Sequence, residues 1–96
     1  MRKLYKFYVD YGRSGELEGL FVADERDIID LEGKTVYFGE VLGKHSDVEL
    51  EIEKDMFTEI DVPEKALKAI EKELGATWSG FNPVEIYSEQ EEEENE

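Results

Sequence analysis

Between residues 47 and 53 the chain alternates without a break: Asp47, Glu49, Glu51 and Glu53 are acidic, and Val48, Leu50 and Ile52 between them are apolar. A two-residue period fits an extended strand, whose successive side chains point to opposite faces; a helix would scatter these residues around its circumference. One face of that strand must be core. The other must stay wet, because like charges this close are tolerable only where solvent screens them.

The same period returns near the N-terminus, where residues 4–11 set Tyr5, Phe7, Val9 and Tyr11 against Lys6, Tyr8 and Asp10. Gly12, Arg13, Ser14 and Gly15 follow, and two glycines that accept positive φ predict a hairpin turn into a second strand over residues 16–23. Asp24 is placed to cap a short helical stretch carrying Ile28, Ile29 and Leu31, ended by Gly33. Residues 34–42 read as a third strand with Val36 and Phe38 opposite Thr35, Tyr37 and Val41, and Gly39 inside it marks a bulge. Gly43, Lys44, His45 and Ser46 turn the chain into the acidic strand. After a turn at Lys54 and Asp55, residues 56–60 read as a fifth strand pairing back on the fourth.

Pro63 and Glu64 suit a first helical turn, where a missing N–H costs nothing and an acid meets the positive end of the dipole. Ala66, Leu67, Ile70 and Leu74 then recur at helical spacing up to Gly75. Residues 76–83, with Trp78 and Phe81, read as irregular, and residues 84–87 as a short edge strand. Residues 88–96 hold six glutamates and no apolar side chain, a self-repelling composition that predicts a disordered acidic tail. The expected class is α+β: a single domain over residues 1–87, built as a small antiparallel sheet of five or six strands with one amphipathic helix on one face.

Charge narrows what such a domain can meet. The 96 residues contain 26 acids and 11 bases, a net charge of −15, and without the glutamate-rich end 20 acids still face 11 bases. DNA, RNA and anionic lipid would be repelled, so direct nucleic-acid and membrane binding are not expected. With no cysteine, disulfides, thiolate metal sites and cysteine nucleophiles are excluded. Charges interrupt every apolar run before it reaches the length of a membrane span, and a cytoplasmic placement is expected.

Three groups of residues invite a chemical reading. Gly39, Gly43, Lys44 and Ser46 resemble a phosphate loop, but only three residues separate the glycines, His45 parts the lysine from the hydroxyl, and a strand follows instead of a helix. His45, the sole histidine, neighbours Ser46, yet consecutive residues of an extended chain point opposite ways, a poor geometry for proton abstraction. A straight row of carboxylates about 7 Å apart does not converge on a cation, so neither a metal nor a cofactor is expected.

The acidic row is the remaining feature. Asp47, Glu49, Glu51, Glu53, Asp55 and Glu59, opposed only by Lys54, form the candidate partner-binding set for a basic protein. Their spacing of about 6 to 7 Å matches phosphates along one nucleic-acid strand, so the face would stand in for a polyanion. The expected function is a small non-enzymatic inhibitor or adaptor. An alternative ligand-binding set, Arg13, Tyr37, Lys44, His45 and Ser46, would instead serve a small molecule. Tyr8, on the polar face of its strand, would mark an interface if it lay beside an exposed Leu4 or Tyr37.

Overall fold

In the computed structural model, which describes residues 2–43 and 47–94, the class is α+β and the strands are antiparallel. Strands β1 (Arg2–Asp10) and β2 (Glu16–Asp24) pair along their whole length, from Arg2 opposite Asp24 to Asp10 opposite Glu16. The turn between them uses Gly12 at φ 64° and Gly15 at φ 118°, conformations that side chains other than glycine rarely adopt. Helix α1 (Glu25–Leu31) begins where Asp24 accepts a hydrogen bond from the Arg26 N–H at 3.1 Å, a bond that also holds the Asp24 carboxyl below its ordinary pKa.

Strands β3 (Thr35–Gly39) and β4 (Val48–Glu51) form a separate two-stranded sheet whose register slips between Tyr37 and Gly39, the bulge that Gly39 announces. A 3-10 turn at Lys54–Met56 leads to β5 (Phe57–Ile60), then come helix α2 (Glu64–Leu74), strand β6 (Thr77–Gly80) and helix α3 (Pro83–Glu94).

The larger sheet runs in the order β5-β1-β2-β6, and both of its faces are used. On one, Tyr5, Phe7, Leu17, Phe21 and Ala23 pack with Val48 and with Phe38, Leu50, Met56, Phe57, Phe81 and Val84. Phe7 lies at the centre, stacked on Phe38 at 6.0 Å and tilted against Phe57 at 5.5 Å. On the other face, Leu4 and Val22 meet Leu67 of α2, with Leu20, Ile60, Val62 and Trp78 around them. A smaller cluster of Leu31, Val36 and Ile52 joins the hairpin to α1 and to Val84, Ile86 and Tyr87 of α3. The molecule is thus layered: the β3–β4 hairpin with α1 and α3, then the four-stranded sheet, then α2.

Four expectations need correction. Residues 57–60 pair with β1 and not with β4. The 3-10 turn redirects the chain, and the β1 pairing seats Phe57 between Phe7 and Phe21, the latter at 6.2 Å edge to face. Residues 77–80, read as irregular, are a strand on β2. Residues 84–87, read as a strand, belong to α3. Asn82 starts that helix: it is buried, its Oδ1 accepts from the Val84 and Glu85 N–H groups at 3.1 and 3.4 Å, and its Nδ2 donates to Thr77 Oγ1 at 3.0 Å. Pro83 fills the first helical position, where it is favoured. Finally, α3 continues through Glu94, so residues 88–94 are helical where a disordered tail was expected. Among the described residues α3 joins the short capped helix and the amphipathic helix that the sequence predicts, and the single expected sheet becomes two.

Helix α2 buries less than its stripe promises. Leu67 is inside, but Ile70 and Leu74 are exposed. Arg2 secures the helix with two hydrogen bonds to Glu71, at 2.6 and 3.2 Å. Among the described residues no helix is long and apolar enough to cross a membrane.

Candidate functional site

The binary pattern of residues 47–53 is resolved by the hairpin's anchoring. Val48, Ile52 and, on the facing strand opposite Leu50, Val36 are buried. Because side chains alternate, this turns Asp47, Glu49, Glu51 and Glu53 outward, and all four are exposed. Glu49 stands opposite Tyr37 and Glu51 opposite Thr35, so one face of the hairpin carries a phenol, a hydroxyl and the acidic row. Tyr37 donates its phenolic hydrogen to Asp47; that bond, followed by partial burial and the neighbouring carboxylates, holds its pKa above the ordinary tyrosine value.

Asp55, in the 3-10 turn, extends the exposed acids beyond β4. Glu59 does not join them. It sits on β5 in the larger sheet, and its carboxylate pairs with Lys3 at 2.7 Å; Lys3 also reaches Glu25 at 3.4 Å. The Glu59 bond in particular raises the Lys3 pKa. The other ion pairs, Arg2 with Glu71 at 2.6 Å and Lys68 with Glu64 at 3.3 Å, lie at α2. Among the described residues none of Asp47, Glu49, Glu51, Glu53 and Asp55 shares an ion pair with a base.

The alternative ligand set is divided. Lys44, His45 and Ser46 lie outside the described residues. Arg13 is exposed in the turn between β1 and β2, which adjoins the segment before Lys44: a Cβ on Gly15 would come within 3.3 Å of Leu42 Cδ2. Tyr37 lines a shallow cavity of about 190 Å³ that Ile86, Glu89 and Gln90 complete, without Arg13. Tyr8 and Tyr37 fall on opposite sides of the larger sheet, since Tyr8 points away from Phe7 while the hairpin packs on the Phe7 side. Leu4 is buried, and Tyr8 instead donates to Glu16 at 2.8 Å.

One residue of this region was missed entirely. The Gln90 side-chain amide docks on the edge of β3 away from β4: its Oε1 accepts from the Tyr37 N–H at 2.9 Å and its Nε2 donates to the Thr35 carbonyl at 3.2 Å. Reading residues 88–96 as an unstructured tail hid it. The signal that would have found it is the run Asn82-Pro83-Val84-Glu85, a helix-capping residue, a proline at the first helical position and an acid at the third. Among the described residues no group of acids or histidine is placed to hold a metal ion. Comparisons with known protein families, with curated proteins and with solved structures gave no significant match.

Proposed function

We propose that this chain is a small non-enzymatic binding protein, an inhibitor or adaptor, whose acidic hairpin face docks a basic protein partner. The observation that carries the reading is the outward row Glu49, Glu51 and Glu53, exposed and without a basic partner among the described residues, alternating with buried Val48 and Ile52 and half-buried Leu50. A row of carboxylates outside any ion pair presents charge without the cost of breaking existing pairs, and it speeds encounter with a cationic surface. Asp47 and Asp55 flank the row; Glu59, engaged with Lys3, stands apart. A spacing of about 7 Å between alternate residues makes the face a fit for a site that otherwise takes nucleic-acid phosphates.

The test is affinity capture on the immobilised protein at low and at high ionic strength, alongside the triple variant Glu49→Gln, Glu51→Gln, Glu53→Gln. Basic proteins held by the wild type should be released by salt and lost by the variant. Equal retention by both proteins at both ionic strengths would sink the reading.

A further inference from the structure

The hairpin's two margins are treated differently. Thr35 and Tyr37 point their main-chain groups away from β4, because the Thr35 carbonyl and the Tyr37 N–H bond to Gln90. They are therefore the non-hydrogen-bonded members of their pairs, and so are their partners Glu51 and Glu49, whose N–H and C=O groups must point away from β3. The neighbouring register agrees: the Ile52 N–H faces inward, donating to the Lys34 carbonyl at 2.9 Å. Strand β4 has β3 as its one sheet neighbour, and among the described residues nothing bonds the outward main-chain groups of Glu49 and Glu51. Among the described residues one margin of the hairpin is closed by a side chain and the other is open.

We propose that the open margin of β4 accepts a strand from a basic partner, an extended segment with Lys or Arg at alternate positions and an apolar residue between them. This rests on the docking reading above and specifies its geometry. An incoming strand would complete the four main-chain groups of Glu49 and Glu51. Its residues opposite these two would project to the same outer face, within about 5.5 Å, where a cation meets a carboxylate. The residue between them would fall on the inner side, beside half-buried Leu50. A second copy of this chain is the wrong occupant, since β4 against β4 would set carboxylate opposite carboxylate. The outer strands of the larger sheet lack the combination: Glu59 of β5 is engaged with Lys3, and β6 carries no charged side chain.

The experiment uses the full chain and a short synthetic peptide alternating Lys and Val, with a second peptide of the same sequence N-methylated at alternate residues. Methylation keeps the charge and removes the amide hydrogens that would bond β4. The plain peptide should bind at low salt, slow hydrogen exchange at the Glu49 and Glu51 amides, and lose about tenfold in affinity on methylation of the β4-facing amides. The double variant Glu49→Gln, Glu51→Gln should also bind it more weakly. If both peptides bind equally and the two amides stay unprotected, strand addition is overturned while charge docking stands. If neither binds at low salt, both readings fall. Concentration-dependent protection of the same amides without peptide would assign the margin to a second copy and overturn the proposal.

Discussion

Gly19 is where two main chains meet. A Cβ there would lie 1.8 Å from the Phe81 carbonyl oxygen, and its cross-strand partner Gly80, at φ +64°, would drive one to 2.1 Å from the Glu18 carbonyl oxygen. Backbone cannot swing aside as a side chain can, so Gly19→Ala should destabilise the protein by about 3 kcal/mol. Thermal unfolding checks this; an unchanged midpoint would mean that the segment carrying Phe81 yields freely. The phenols form a second residue-level prediction. Burial raises the pKa values of Tyr5 and Tyr11, and hydrogen bonds to Glu16 and Asp47 raise those of Tyr8 and Tyr37. A raised folded-state value means that folding favours the neutral phenol, so this stability is whole below the ordinary value near 10 and is lost as pH climbs through the folded values. Phenolate absorbance should therefore lag that of the denatured chain in an alkaline titration, and unfolding should become easier above that pH. At this scale the sequence was readable wherever a residue acts on its neighbours: Asp24 caps and Gly12 and Gly15 turn. Gly19 was opaque, because the main chain it makes room for comes from more than sixty residues away.

At the scale of elements, helix α3 ties the C-terminal segment to the hairpin. Removing residues 91–96 should leave the fold intact, whereas Gln90→Ala breaks two hydrogen bonds to the β3 margin and should cost about 1 to 2 kcal/mol. Hydrogen exchange should locate the loss, with the Tyr37 amide opening first. Asn82→Ala, which strips the start of α3 and leaves Thr77 without one partner, should cost about 1 to 2 kcal/mol by chemical denaturation. The elements that keep a regular period, β1, β4 and α2, and those announced by a turn, a cap or a bulge glycine, β2, α1 and β3, were legible in the residues. Those that were not are short segments whose state is fixed by what they touch. Phe57 joins β1 because Phe7 of that strand and Phe21 of β2 pack against its ring, and Val84 to Tyr87 coil because the preceding asparagine is held by Thr77. Composition misled for residues 88–94: a glutamate run repels itself, but it also consists of good helix formers, and here a capped helix feeds into it.

For the whole molecule, charge is the dominant fact. A net −15 is held together with ion pairs confined, among the described residues, to Arg2, Lys3 and Lys68. Screening should relieve the self-repulsion, so the melting temperature should rise between low and physiological salt. A flat or falling melting temperature would indicate that the acids are neutralised within the fold. The candidate site was legible to the extent that a face of carboxylates can be read from alternation; which margin lies open was not, because that depends on Gln90 reaching across more than fifty residues of sequence.

That glutamine has a consequence for assembly. Sheets polymerise when a guest strand leaves a fresh template on the far side, and a flat two-stranded ribbon would ordinarily recruit from left and right alike. With one flank plugged from within, this ribbon can lengthen in a single direction only, which makes the protein a terminus for β-stacking through its hairpin and not a link in a fibre.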